Sequence, residues 1–255
     1  MVSGKVTLTA LAGIPLVKTG DDLAALLIAA FDRCGIVPAD KDVLVVAQKI
    51  VSKAEGRTVD LKSIVASERS LAIAEEVNKD PRLVEVILSE SDEIIRKKQD
   101  VLIVLHRLGF IMANAGVDQS NVAGEDGEQV LLLPRDPDAS AADLKARLDR
   151  RFDVDLGIIV NDSFSRPWRN GVVGVAIGSA GIPVVRSMIG APDLFGRKMR
   201  VTEIALADEI AAAASMVMGQ GNEGQPAVHL RGLRWDEPAA PASRLLRPKN
   251  MDLFR

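Results

Sequence analysis

Three stretches of this chain place oxygen ligands or cations directly after apolar runs. The first, Asn114-Ala115-Gly116-Val117-Asp118-Gln119-Ser120-Asn121, follows the apolar Phe110 to Met112. A carboxylate among carboxamides at a strand end suits a hard cation and the phosphate oxygens it carries. An Asx-rich turn is the plainer alternative. The second, Asn161-Asp162-Ser163-Phe164-Ser165-Arg166-Pro167-Trp168-Arg169, follows the run Gly157 to Val160, so that Asp162 and Ser163 emerge at a strand tip. Two aspartates at the ends of separate buried strands can converge on Mg2+ or Mn2+, which keep waters and bind substrate phosphates. Arg166 and Arg169 can clamp a phosphate or carboxylate bidentately, or belong to a solvated turn. The third, Gln48-Lys49-Ile50-Val51-Ser52-Lys53, puts two lysines just beyond the apolar run Val43 to Ala47. They can neutralise phosphate oxygens as point charges, or snorkel at the surface.

A fourth segment misleads. Gly219-Gln220-Gly221-Asn222-Glu223-Gly224 matches G-x-G-x-x-G, but a dinucleotide site needs a strand before it and a helix after it. Here a helix precedes and a strand follows. A helix-to-strand loop results, whose backbone N–H groups glycine would let approach a phosphate. No Walker A sequence is present, so a nucleotide site here is not a P-loop.

The elements that must position these groups come from one ordinary globular chain. Its 255 residues allow one large domain or two intimately packed smaller ones. Hydrophobic residues at 47% and charged residues at 26% permit a sizeable core. A net charge of −3 and 3% aromatics, with no Tyr, argue against nucleic acid or an anionic membrane as partner. Cys34 is the only cysteine, and His106 and His229 the only histidines, which excludes an internal disulfide and a Cys-rich zinc site. Each histidine reads as packed or exposed rather than as a general base. The longest uncharged apolar stretch, Gly171 to Val185, is broken by four glycines and Pro183 and is too short to span a membrane. No leader-like apolar region opens the chain, so a cytoplasmic location is expected.

A helix is expected from Asp21 or Asp22, with Leu23, Leu27, Ala30 and a buried Cys34 on one face and Gly35 as its stop. Val43 to Ala47 and Gly157 to Val160 read as strands buried on both faces. Helices are expected from Ser67 to Val77, after Asp80-Pro81, and over Ala141 to Phe152 with Leu144 and Leu148 inward. A longer one is expected over Thr202 to Met218, capped by Thr202 and stopped by Gly219, with Met216 and Met218 as core filler. Val101 to Leu105, Phe110 to Met112, Val172 to Ile177, Pro183 to Arg186 and Ala227 to Leu230 read as strands. Asp118 to Gln129 and Pro134 to Ser140 are the most turn-like interruptions. Asp92 to Asp100 reads as a solvated face, and Gly124 to Glu128 as a solvated turn. The fold class is mixed α/β (α+β), without an internal repeat.

Taken in order, these segments resemble the coenzyme F420 gamma-glutamyl ligase family nearly end to end. The carriers are Gly13-Ile14-Pro15-Leu16, Gln48-Lys49 with Ser52-Lys53, Ala113 to Asn121, Leu131 to Asp138, Asp162 to Arg169, Gly174 to Gly181, Asp193 to Gly196 and Gly219 to Pro226. The resemblance implies a GTP-dependent carboxylate–amine ligase acting on a deazaflavin precursor and L-glutamate through an acyl phosphate. It further implies a family-specific fold without a P-loop, a single ligase unit over residues 1–255, an intertwined homodimer, and no nitroreductase-like C-terminal extension.

The nucleotide contacts it implies are Gly13, Ile14, Pro15, Leu16, Gln48, Lys49, Lys53, Asn121 and the loop Met218, Gly219, Gln220, Gly221, Asn222, Glu223, Gly224, Gln225. The divalent cations, Mg2+ or Mn2+, would sit on Asp118 and Asp162, with Ser163 and Gln220 completing a second site. A monovalent cation such as K+ is a further expectation. Asp118, Asp162 and Lys49 would carry catalysis.

Two segments depart from the family pattern, the weakly polar Arg186-Ser187-Met188-Ile189-Gly190 and Leu108 before Gly109. An acceptor pocket lined by either would favour a paralogous ligase with another acceptor. A non-catalytic nucleotide-binding protein and an NAD oxidoreductase are the competing classes.

Overall fold

Four aspartate or serine side chains decide where helices start. Asp22, Ser67, Asp80 and Asp136 accept the backbone N–H of Ala25, Ser70, Arg82 and Ala139 respectively. Each cap stabilises its helix by about 1 kcal/mol. Pro81 and Pro137 follow in the first turn, where a missing N–H costs nothing.

The structure, a computed structural model, describes residues 4–122 and 128–253. Its elements begin with β1 (Thr7–Ala10), α1 (Leu23–Cys34), β2 (Val43–Ala47), α2 (Gln48–Ala54) and β3 (Thr58–Asp60). The middle of the chain gives α3 (Glu68–Val77), α4 (Pro81–Ser89), β4 (Ser91–Lys98), β5 (Val101–His106), β6 (Ile111–Ala113) and β7 (Gln129–Leu131). After α5 (Pro137–Phe152) come β8 (Gly157–Arg166), β9 (Arg169–Ala180), β10 (Arg186–Ser187) and β11 (Glu203–Ile204). The last two are α6 (Leu206–Met218) and β12 (Ala227–Arg231).

The fold is mixed α/β. Its main sheet has the order β1-β12-β2-β8-β9, with β2 and β8 parallel and the other neighbours antiparallel. β2 and the first half of β8 are buried because both faces of this sheet are covered. One face meets α1, α2 and α5 through Leu27, Phe31, Leu44, Val46, Leu148, Ile158 and Val160. The other meets α6 through Val43, Val45, Ile159, Ile210 and Ala214. Helix α6 lies close because Gly174 has no side chain, and a Cβ there would strike Ser215 Oγ and the Ala211 carbonyl. A second, antiparallel sheet, β4-β5-β6, packs its apolar face on α3 and α4. Among the described residues no helix is long and apolar enough to cross a membrane.

The helix from Asp22, the strands at β2 and β12, and the helices after Ser67 and Asp80 match the sequence expectation. Several others are corrected. The charges of Asp92 to Asp100 do face water as expected, but from strand β4 at a sheet edge. α5 starts at Pro137, inside the stretch read as a turn, on the same Asp-Pro signal as α4. α6 begins at Leu206 rather than Thr202, because Glu203–Ile204 pairs with Arg186–Ser187. The segment Pro183 to Arg186 is strand only at its end. β8 runs on through the supposed polar turn to Arg166, forming a hairpin with β9. Cys34 is half-buried, and its Sγ accepts the Ala12 N–H at 3.3 Å. Met218 is buried, but Met216 is exposed. The expected turn over Gly124 to Glu128 falls almost wholly outside the described residues.

Candidate active site

Strand direction gathers the chemically equipped segments. Ala47 at the end of β2 pairs with Asn161 midway along β8, and Val46 pairs with Ala227 at the start of β12. Ala10 at the end of β1 pairs with Val228. The loop Gly13–Leu16 after β1, helix α2 after β2, the glycine loop before β12 and Asp162 on β8 therefore leave one edge of the sheet. Ligands in open α/β sheets bind outside the carboxyl ends of parallel strands, and β2 and β8 end or pass here together.

Lys49 and Lys53 lie four residues apart and share a face of α2. Both reach the loop after β6. Lys49 Nζ is 2.8 Å from Asp118 Oδ2, 2.5 Å from Ser120 Oγ and 3.0 Å from the Ser120 carbonyl oxygen. Lys53 Nζ donates to the Asn121 carbonyl oxygen at 2.6 Å. Burial, with the Lys49 charge beside it, lowers the Lys53 pKa from its ordinary value. The loop is held from both ends: Asp118 exchanges backbone hydrogen bonds with Leu131, and Ser120 N–H donates to Asp118 Oδ1 at 2.7 Å. Burial would raise the Asp118 carboxyl, but Lys49 and Ser120 outweigh it and hold the pKa below the usual range.

Asp162 behaves oppositely. Burial raises it to about 6, the Asp118 charge adds to the rise, and Lys49 and the Ser163 N–H only partly offset it. Two carboxylates that sense each other and share one ammonium form an electrostatic unit, with a negative charge incompletely compensated. On the opposite face of β8, Ser163 Oγ donates to Gln220 Oε1 at 2.9 Å. Asn161 Nδ2 donates to Ser215 Oγ at 3.1 Å and approaches Met218 Sδ at 3.7 Å.

The oxygen donors suit a hard divalent cation. The buried Oδ1 atoms of Asn114 and Asn161 have no hydrogen-bond partner. Among the described residues no three His, Cys, Asp or Glu side chains cluster as a self-sufficient metal site. Mg2+ needs only one or two carboxylates when waters and substrate phosphates complete its shell. Asp118 and Asp162 could supply those carboxylates, whereas Ser163 and Gln220 meet on the opposite face of β8 and could only belong to a separate site.

The glycine loop joins the same region through Asn121, whose Nδ2 donates to the Gly221 carbonyl oxygen at 3.2 Å. Within the loop Gly221 N–H donates to Glu223 Oε2 at 2.8 Å. The Glu223 carboxylate thus occupies a backbone donor that could meet an external anion. Gly219 has φ 73° and tolerates that carboxylate against its Cα only because it lacks a Cβ. Asn222 and Gly224 are exposed and Gln225 half-buried.

Not every expected nucleotide residue faces this cluster. Gln48 is buried and its Oε1 accepts from Ser52 Oγ at 2.8 Å, within α2. Gly13 lies on Arg33, which donates to its carbonyl oxygen at 2.8 Å; Ile14 packs on the core, and Pro15 and Leu16 face water. Both histidines are employed elsewhere. His229 Nε2 is 2.8 Å from Asp42, and His106 Nδ1 accepts the Leu108 N–H at 2.9 Å. Sequence reasoning assigned no role to Ser120, which bridges Lys49 and Asp118, nor a separate one to Asn161. Strict alternation along β8 would have separated Asn161 and Ser163 from Asp162.

Residues 13–232 match the model of the family described as F420-0:Gamma-glutamyl ligase. The chain is 46% identical to the Coenzyme F420:L-glutamate ligase of Methanothermobacter thermautotrophicus, covering 98% of this chain and 99% of that protein. It is 44% identical to the Coenzyme F420:L-glutamate ligase of Methanopyrus kandleri, over 94% and 93%. It is 45% identical to that of Natronomonas pharaonis, over 86% and 83%. An acidic pair, two lysines and a glycine loop on one sheet edge are thus set in a chain that belongs to the F420-0:gamma-glutamyl ligase family.

Proposed function

We propose that this chain forms an amide between the amine of L-glutamate and the carboxylate of F420-0 in F420 biosynthesis, at the expense of GTP. The observation that carries the reading is the convergence of Asp118, Asp162 and Lys49 beside the glycine loop. Membership of the ligase family and relatives named for F420 and L-glutamate support the two substrates.

In this reading an acceptor carboxylate oxygen attacks the γ-phosphorus of GTP, GDP leaves, and an acyl phosphate forms. The glutamate amine then attacks the acyl carbon. The C–N bond forms, the C–O bond to phosphate breaks, and the amine releases a proton. Phosphoryl transfer asks a protein for positioning and charge compensation more than for a nucleophile. That matches a site with no thiol or imidazole beside its carboxylates.

Lys49 and Lys53 lie where they can offset phosphate charge, and the loop amides near Gly221 can bind phosphate oxygens once Glu223 moves aside. Asp118 and Asp162 would hold Mg2+ or Mn2+, with Ser163 and Gln220 on the other face of β8 as a second site, and the ions would supply charge neutralisation to the phosphates; K+ is a further candidate cofactor.

The same reading includes a homodimer. The segment between β10 and β11 exposes Ile189, Leu194 and Phe195, and Val201 beside them, and a second copy would cover these side chains. The acyl-phosphate step is tested with 18O in the acceptor carboxylate. One labelled oxygen appearing in the released phosphate supports it, and unlabelled phosphate refutes it.

A further inference from the structure

β8 alternates without interruption from Gly157 to Arg166, because both register shifts against β9 leave their extra residues on β9. Ile158, Val160 and Phe164 face one core, while Ile159 faces the other and Ser163 bonds to Gln220. Asp162, Phe164 and Arg166 therefore share one face. Arg166 is half-buried, its Nη1 is closed off from water, and Nη1 has no hydrogen-bond partner. The chain treats other covered guanidinium groups differently. Arg57 meets Glu90 at 2.7 Å, and Arg186 meets Glu237 at 2.8 Å. A covered cationic donor without an acceptor weakens a fold, and a ligand that brings the acceptor removes the cost.

We infer that Arg166 recognises the side-chain carboxylate of the incoming amino acid and so selects glutamate, an inference that rests on the ligase reading above. The spacing supports it. Asp162 and Arg166 are four residues apart, about 13 Å along an extended strand. An extended glutamate spans about 5 Å from its amine to its distal carboxylate carbon. The reacting carboxyl and the two protein side chains fill the rest. With the amine directed to the acyl carbon near Asp162, the two methylenes lie over the Phe164 ring and the distal carboxylate reaches the guanidinium. Phe164 is held there by Phe110, ring centroids 6.5 Å apart and nearly edge-on. Lys49 and Lys53 are held at Asp118, Ser120 and Asn121, where the ligase reading gives them phosphate charge to offset, which leaves Arg166 for this second carboxylate. Aspartate is one methylene short, and glutamine lacks the charge a guanidinium fork pairs with.

The test is steady-state kinetics of the wild type, Arg166→Met and Arg166→Lys with glutamate, glutamine and aspartate as amine donors. The Met variant should raise the KM for glutamate roughly 10- to 100-fold, as expected for losing hydrogen bonds to a charged group. The KM values for F420-0 and GTP should stay within about twofold of wild type. The preference for glutamate over glutamine should collapse. Because Nη1 is unpartnered, the Met variant should melt no lower than the wild type. If it fails to fold, the Lys variant decides, since a point charge does not reproduce the bidentate fork and its glutamate KM must still rise. An unchanged glutamate KM, or an effect confined to F420-0 or GTP, overturns the assignment of Arg166. A wild type that makes no amide overturns the ligase reading itself, and the inference with it.

Discussion

Lys49 Nζ stands 2.8 Å from Asp118 Oδ2, joining helix α2 to the loop after β6. The same ammonium lowers the Asp162 carboxyl, so a single side chain moderates two acids. Lys49 therefore holds the acidic pair together, and in the proposed ligase reaction it would stand near enough to meet phosphate charge.

Removing either member of that pair should separate folding from catalysis. Asp118→Ala should abolish amide formation while retaining wild-type circular dichroism and a cooperative melt. Lys49→Met should lower kcat by about 100-fold, the scale of losing one charge-stabilising contact. A Lys49→Met enzyme with full kcat would exclude the lysine from the chemistry.

Asp162 carries its charge at a cost in the metal-free protein. Its folded pKa of about 6 lies above the unfolded value of 3.8, so folded protein binds the extra proton between those values. Stability from this group is present below about pH 4 and is lost as pH rises through 6. In EDTA, Asp162→Asn should accordingly be more stable than wild type by on the order of 1–2 kcal/mol at pH 8, and no different at pH 4. Differential scanning calorimetry at the two pH values checks this; a lower melting temperature for the variant at pH 8 contradicts it.

Asp42 shows the opposite sign, far from the site at the start of β2. Burial raises it, but His229, Arg231 and the Ala39 N–H prevail and lower it to about 2. Its contribution is present above the unfolded 3.8 and disappears as pH falls through 2. Asp42→Asn should lose on the order of 2 kcal/mol at pH 7, with the difference closing between pH 4 and 2. Urea titrations across that range would show it, and a constant difference would not fit.

Much of this was legible in the sequence because the signals were local. Asp80-Pro81 announces α4, Gly35 ends α1, and the run Val43–Ala47 is a strand covered on both sides. The acidic and basic candidates could also be named, because each follows an apolar run. What the sequence hid depends on pairing across the chain. β8 continues through Asp162 because β9 supplies its partner, so a segment polar enough to be a turn became a hairpin arm. β4 is a strand despite its charges because β5 pairs with it. Ser120 gained a role only when α2 approached from 71 residues away. Gln48 looked available, yet Ser52 one helical turn on claims its side-chain oxygen.

The central claim is tested most directly by incubating the purified protein with F420-0, L-glutamate, GTP and Mn2+ and measuring product mass. The account predicts a glutamate-dependent product heavier than F420-0 by one glutamyl unit, formed together with GDP. Unchanged F420-0 under conditions where the wild-type protein is folded and binds GTP would contradict it.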